Sequence, residues 1–128
     1  MQRGRAARGA AGPQADEEAV RSHLERGRAL VRQGQWHEAQ IAFELALRFD
    51  GGCVEALCAL GHVLLRREAI DEARRVIARA LAIDEACPAA HKLLAELHLK
   101  RGQFDLAARH FQLASEHDAD RRRYGGGR

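Results

Sequence analysis

A repeat of 34 residues constrains the fold of this chain more than any other feature of its sequence. The segments 20–53, 54–87 and 88–121 align without a gap. In the second half of each segment four columns keep one character, in the order alanine, bulky apolar residue, alanine and aspartate. Their members are Ala39, Phe43, Ala46 and Asp50, then Ala73, Ile77, Ala80 and Asp84, then Ala107, Phe111, Ala114 and Asp118. Several independent columns with one period predict a tandem array of three units.

Each unit is predicted to consist of two helices. Apolar residues recur at the i, i+3, i+4 and i+7 spacing of an amphipathic helix. Gly34 and Gly102 stand where the first helix of a pair should end, and Pro88 opens the third unit, where a missing N–H costs nothing. The sequence has no alternating strand pattern of useful length. We therefore predict an all-α protein in which short helix pairs bury their apolar faces by stacking on one another.

The period and the columns resemble the tetratricopeptide repeat (TPR) family. Leu60, Gly61 and Leu64 match the first half of the family pattern, and the alanine and phenylalanine columns match the second half. Three columns depart from the family pattern. The tryptophan column holds His23, Leu57 and His91, and the closing-proline column holds Gly51, Glu85 and Ala119. The turn-glycine column holds Glu68 in the second unit. The resemblance covers residues 20–121 and implies a right-handed TPR-type α-solenoid of three helix-turn-helix repeats. We expect a domain at 16–121 between tails at 1–15 and 122–128, whose arginine- and glycine-rich composition predicts flexibility.

The resemblance also implies a function. TPR arrays bind a peptide or helix of a partner protein in a concave groove formed by the first helix of each pair, which makes this chain a non-catalytic scaffold or adaptor. The corresponding residues here are Arg21, Leu24, Arg28, Val31, Arg32, Glu55, Cys58, His62, Leu65, Arg66, Ala89, Lys92, Glu96, Leu99 and Lys100. Cations outnumber anions in this set, and leucine and valine lie between them, so we expect an acidic or amphipathic partner segment. There are two alternatives to groove binding. The charged residues form only a solvated helix face, or the partner binds on the convex side or at one end of the array.

Two subgroups of the family give narrower hypotheses. TPR domains that bind chaperone tails hold a terminal carboxylate with a clamp of lysine, asparagine and arginine. The clamp positions here are Leu24, Arg28, Ala59, Ala89 and Leu93. None of them matches, and the chain contains no asparagine, so we do not expect this role. The small three-repeat chaperones of bacterial type III secretion are similar in size and repeat number and stay an alternative.

The net charge of +3 comes from the two ends of the chain. Residues 1–15 and residues 119–128 each carry +3, so residues 16–118 carry −3. A nucleic-acid or membrane-surface binder would have to use these arginine-rich tails. This function is the alternative from a different class, and it predicts that deletion of the tails abolishes binding and its salt dependence. We favour the protein-binding groove and expect no nucleic-acid partner.

No constellation of residues predicts catalysis, a cofactor or a small-molecule substrate. The only two serines, Ser22 and Ser115, stand near opposite ends of the chain, and no phosphate-binding glycine loop occurs. Among the seven histidines, two pairs lie seven residues apart along a helix, about 10 Å and too far to share a zinc ion. We therefore expect no metal site and histidines that are dispersed or partly packed.

The cysteines and the apolar runs bear on the cellular compartment. The chain has three cysteines. Cys53 and Cys87 occupy one column, so stacking should place them about 10 Å apart, beyond disulfide range, whereas Cys58 on the groove wall is a candidate reactive thiol. An odd number of cysteines suits a reducing compartment. Apolar runs end well short of the about 18 residues that a membrane span needs, and the N-terminus lacks the apolar stretch of a secretory signal. We predict a cytoplasmic protein.

The last helix pair raises a separate expectation. TPR arrays commonly end with an extra helix that covers the apolar face of the last pair. The residues after Asp118 are mainly arginine and glycine and cannot form an amphipathic helix. The face with Leu106, Phe111 and Leu113 is therefore expected to be partly bare. We predict that it is covered by self-association, by a partner, or by further chain if the sequence is part of a longer array.

Overall fold

The computed structural model describes the backbone of residues 3–125 and the side chains of residues 12–124. Six helices follow one another: α1 (Arg3–Arg32), α2 (Trp36–Phe49), α3 (Val54–Arg66), α4 (Ile70–Ile83), α5 (Pro88–Lys100) and α6 (Phe104–Asp120). A π-helical turn at Arg121–Gly125 continues α6. The described part of the chain contains no β-strand. The predicted all-α fold and its helix pairs are therefore confirmed.

Helix α1 contains a kink before the array begins. Gly12 has φ 82° and ψ 172°, which separates helical backbone at 3–11 from the helix at 13–32. A positive φ of this size favours glycine because other residues meet a steric penalty there. Pro13 follows the kink, at a position where its missing N–H leaves no helical bond unmade. The limits of the flexible tails at 1–15 and 122–128 stay predictions, and residues 1, 2 and 126–128 lie outside the described backbone.

The three hairpins use the same turn. Its central residue has a positive φ in each repeat: Gly34 at 75°, Glu68 at 63° and Gly102 at 73°. In each turn the next backbone N–H donates to a carbonyl near the end of the first helix, at 2.9, 2.9 and 2.8 Å. The two glycines lie where the sequence predicts them, and Glu68 adopts the same conformation without being glycine. Its backbone is strained by about 1–2 kcal/mol relative to a glycine.

The core follows the repeat columns. Ala39, Ala73 and Ala107 are almost completely buried, and so are Phe43 and Ile77. Phe43 packs on Gly27 so closely that a Cβ at Gly27 would overlap its ring. Small residues in the first helix therefore let the bulky residue of the second helix approach the backbone, as protein interiors of crystal-like density require.

The hairpins stack in chain order. Helix α2 packs on α3 and α4 packs on α5, while the first helices contact each other, α1 with α3 and α3 with α5. The first helices thus form one continuous side of the array, where the sequence places the partner-binding residues. Among the described helices, none has the length and apolarity to cross a membrane.

Candidate partner-binding groove

All fifteen residues predicted for the groove lie on α1, α3 and α5. Nine are exposed: Arg21, Arg28, Arg32, Glu55, Arg66, Ala89, Lys92, Leu99 and Lys100. Three are half-buried: Val31, His62 and Glu96. Twelve of the fifteen side chains are therefore accessible to a partner to some extent.

The other three predicted residues belong to the core. Leu24, Cys58 and Leu65 are 5%, 8% and 2% exposed. They are buried because the first helices also contact each other, so one edge of the predicted face is used for packing between repeats. The expectation that these three side chains present an accessible surface is corrected: at most they form the floor beneath the exposed residues.

A concavity of about 780 Å³ lies at the α1 end of this side. It brings together four predicted residues, namely Arg21, Leu24, Arg28 and Glu55. The residues of its lining that the sequence reasoning missed are Pro13, Asp16, Glu17, Val20, Glu25, Phe49, Asp50 and Cys53. Val20 could have been found, since it precedes Leu24 by one helical turn. Phe49 ends a second helix, and only the hairpin geometry brings it here.

A second concavity of about 260 Å³ lies between α3 and α5. Its lining consists of five predicted groove residues, Leu65, Arg66, Glu96, Leu99 and Lys100. Leu65 forms a buried apolar floor, Leu99 is exposed beside it, and the charged groups lie at the rim. This arrangement can hold an apolar side chain of a partner and place charged groups around it.

The fifteen predicted groove residues carry more positive than negative charge, whereas in the lining of the 780 Å³ concavity five acidic side chains outnumber two arginines. Arg28 forms an ion pair with Glu55, and Nζ of Lys100 lies 3.0 Å from Oε2 of Glu68. Among the side chains that the structure describes, Arg32, Arg66 and Lys92 form no ion pair. The charges of these three side chains are therefore not neutralised by an ion pair within the described structure.

His62 lies in the middle of the groove, on α3. Burial lowers the pKa of His62 below its ordinary value, and the positive charge of Arg66 lowers it further. Glu96 acts in the opposite direction. The rings of His62 and Trp36 meet edge to face with their centroids 6.0 Å apart. The lowered pKa favours the neutral form of His62, so the imidazole adds little positive charge to the groove at neutral pH.

Cys58 forms a close contact that the sequence did not reveal. Its Sγ lies 3.9 Å from Sγ of Cys87, and both side chains are buried. Burial is the main cause that raises the pKa of Cys58 to about 12, and Cys87 adds to it. A thiol of such a high pKa is almost entirely protonated and unreactive near neutral pH. The interpretation of Cys58 as a reactive thiol on the groove wall is therefore wrong.

Four histidines form a ladder between α5 and α6. In spatial order they are His98, His110, His91 and His117, with neighbouring ring centroids 5.3 to 5.5 Å apart. Nε2 of His91 donates to the carbonyl oxygen of Glu85 at 2.9 Å, so Nδ1 of His91 is the acceptor for Nδ1–H of His110 at 3.3 Å. These contacts join two helices, so the spacings of histidines within each helix do not reveal them. In the part of the chain with described side chains, no group of three or more histidine, cysteine or acidic residues has an arrangement that could hold a metal ion.

The comparisons with known proteins agree with this architecture. The family model described as tetratricopeptide repeat matches residues 30–97 and 64–127. No curated protein sequence matches the chain. The type III secretion translocator chaperone SycD of Yersinia enterocolitica has a similar structure, with a TM-score of 0.76 and 17% identity over 86% of this chain and 82% of SycD.

Two further structures are similar. PcrH, solved in complex with the chaperone binding region of PopD, has a TM-score of 0.73 and 22% identity over 81% of this chain and 78% of PcrH. MamA has a TM-score of 0.71 and 19% identity over 82% of this chain, which spans 61% of the MamA chain. At these identities the likeness concerns the fold. Because the family model covers most of the repeat region and the six helices form its stacked hairpins, this chain belongs to the tetratricopeptide repeat family.

Proposed function

We propose that this protein is a non-catalytic scaffold that binds a segment of another protein along the side formed by α1, α3 and α5. The observation that carries the proposal is the arrangement of this side. Its two concavities have apolar floors, at Leu24 and at Leu65, and charged rims. A surface of this kind suits a peptide or helix that inserts apolar side chains at intervals.

The charges of the groove between α3 and α5 favour an acidic or amphipathic partner segment. Arg66 and Lys92 have no anionic partner among the described side chains, and they flank the half-buried His62. A ligand carboxylate near them would gain attraction without breaking an existing ion pair. Charges at the rim of an interface mainly set the association rate and the choice of partner, whereas the apolar floors would supply most of the affinity.

The test uses three sets of amphipathic helical peptides with one apolar face and a net charge that is negative, neutral or positive. We expect the negative set to bind most tightly, as measured by fluorescence anisotropy at low salt. The double variant Arg66→Glu with Lys92→Glu should lose this preference. The matched control, Arg75→Glu with Arg109→Glu, makes the same charge change on the second helices, where both side chains are exposed. Equal binding by both double variants would overturn the proposal.

A chaperone for a secreted translocator is a narrower version of the same function. It is supported by the similarity in fold to SycD and PcrH. The structure of PcrH holds the chaperone binding region of PopD, and a comparable segment could occupy the groove here. Such a role predicts that the partner is bound before it folds, so a partner that binds only as a folded domain would contradict it.

We also propose that the protein associates with itself through the end of the array formed by α5 and α6, and that it acts in the cytoplasm. Self-association is supported by the exposure of Phe104, Phe111 and Leu99 at this end. The cytoplasmic assignment is supported by three cysteines that are all free, as is usual in a reducing compartment.

A further inference from the structure

One stripe of α6 repeats a surface that is covered elsewhere in the array. It consists of Phe104, Ala108, Phe111 and Ser115, at the i, i+4, i+7 and i+11 spacing that keeps residues on one side of a helix. The same columns hold Trp36, Gln40, Phe43 and Leu47 in α2, and Ile70, Arg74, Ile77 and Leu81 in α4, all of them buried or half-buried except Arg74, which is exposed. Helix α3 packs on α2, and α5 packs on α4. The stripe of α6 is therefore the surface on which the next helix of the array would pack.

The exposure of the aromatic residues shows the difference. Phe43 and Ile77 are 1% exposed, whereas Phe111 in the same column is 37% exposed. Phe104 is 68% exposed, whereas Trp36 in its column is half-buried. Leu99 of α5 is 44% exposed, whereas Leu65 in its column is 2% exposed. Within the described part of the chain nothing covers this stripe, so an apolar patch with the shape of a helix-binding surface stays open.

The order of the side chains along the stripe indicates what fits it. Large residues alternate with small ones: Phe104, then Ala108, then Phe111, then Ser115. A second copy of the stripe that runs in the opposite direction has its small residues where the first has large ones. A second copy that runs in the same direction would set phenylalanine on phenylalanine and leave gaps at the small residues. Efficient packing of the two copies therefore requires the antiparallel direction.

We propose that two copies of this chain pair through α6 in an antiparallel arrangement, with the two-fold axis passing between residues 109 and 110. This register places Phe104 on Ser115 of the second copy and Phe111 on Ala108 of the second copy. The interface is isologous, as in most homodimers, because each contact occurs twice. This pairing rests on the self-association proposed above, and it names the residues of α6 that would determine how the two copies align. The groove on α1, α3 and α5 remains open in such a dimer.

The test measures molar mass by light scattering over a concentration series, with helix content checked by circular dichroism. Wild type is expected to form a dimer. Phe104→Ser removes a large residue from the pair, and Ser115→Phe sets two phenylalanines against each other, so each is expected to weaken the dimer by about tenfold or more. The double variant exchanges the large and small positions and is expected to restore the dimer. Ile41→Ser is the matched control, since Ile41 is 45% exposed on α2 outside the stripe, and it should leave the dimer unchanged.

The outcomes separate the register from the rest of the proposals. A wild type that stays monomeric overturns both self-association and the register. A dimer that the single substitutions do not weaken, or that the double variant does not restore, overturns the register alone. Since Phe104 and Ser115 are both exposed, neither change should prevent folding. Peptide binding by the groove is measured independently in the same variants and should be unchanged.

Discussion

Phe43 of α2 packs its ring directly on the backbone of Gly27 in α1, where a Cβ would overlap the ring. Phe43 is 1% exposed, so the ring is enclosed by its neighbours. We predict that Gly27→Ala destabilises the protein by about 1–3 kcal/mol, as overpacking of a core does, despite the higher helix propensity of alanine. The midpoint of urea unfolding measures the effect.

The control for this prediction is Gly51→Ala, because a Cβ at Gly51 would meet its nearest neighbour at an ordinary 3.6 Å. At Gly61 the corresponding Cβ would lie 3.1 Å from Cγ1 of Ile77, so Gly61→Ala should have an intermediate effect. A Gly27→Ala variant as stable as wild type would show that the α1–α2 contact is looser than described.

Glu68 offers a stabilising substitution. It holds a φ of 63° in a turn whose counterparts are Gly34 and Gly102. Glu68→Gly removes the steric strain and loses only an exposed ion pair with Lys100, which contributes little. We expect a net gain of about 0.5–1 kcal/mol after the entropy cost of glycine, seen as a higher melting temperature. Gly34→Ala makes the opposite exchange in the first turn and should destabilise the protein by a similar amount.

The histidine ladder predicts a loss of stability in mild acid. Burial lowers the pKa of His110, and His98, His91 and Arg109 lower it further. The pKa of His110 in the folded protein thus lies below its value in the unfolded chain, about 6.5. Its contribution is fully present above pH 6.5 and is lost as the pH falls below that value. Histidine titrates in the range of about pH 5 to 7.5. Urea unfolding at a series of pH values in this range should show the decline in the free energy of unfolding.

Two variants separate His110 from the other histidines in that experiment. His110→Gln should reduce the slope of stability against pH, because it removes one group that resists protonation in the folded state. His37→Gln changes an exposed residue of α2 and should leave the slope as in wild type. Part of the slope should persist in both variants, since burial also lowers the pKa of His62. Identical slopes for wild type and His110→Gln would refute the prediction.

The thiols should react in two classes. Cys53 is half-buried, whereas Cys58 and Cys87 are buried against each other. Since the pKa of Cys58 is raised to about 12, iodoacetamide at pH 8 should modify Cys53 first and the buried pair only after unfolding. Mass spectrometry counts the adducts over time. In Cys53→Ser the rapid adduct should disappear, and fast labelling of Cys58 in the folded protein would contradict the structure.

The 34-residue period made the helices, the hairpins and the stacking predictable, because a repeated column pattern specifies both local structure and neighbour contacts. The side of the array that carries the candidate groove was predictable for the same reason. The burial of Leu24 and Leu65 was not, since it depends on how closely neighbouring first helices approach. The end face was predicted only in part. Phe111 and Leu106 are exposed as predicted, at 37% and 39%. Phe111 lies on the open stripe with Phe104, whereas Leu106 and the half-buried Leu113 are offset from it around α6.

The contacts of His91 with His110, and of Cys58 with Cys87, also escaped the sequence reasoning. Both join residues that are more than 18 positions apart, and both depend on the rotation of one helix relative to another. A period in the sequence predicts which helices are neighbours, but it does not predict how far each helix is rotated about its own axis relative to the next. Pairing columns across helices, rather than along them, is the signal that could have revealed these contacts.

The unequal burial of the helices has a consequence for motion. Eight of the thirteen residues of α3 are buried, compared with two of the seventeen in α6. Since local opening is easiest where few apolar contacts hold an element, amide hydrogens should exchange slowest in α3 and fastest in α6. The α6 end of the array should therefore open locally while α3 stays folded. A partner that contacts α6 would then meet the most mobile helix of the array, whereas α3 would provide a rigid centre.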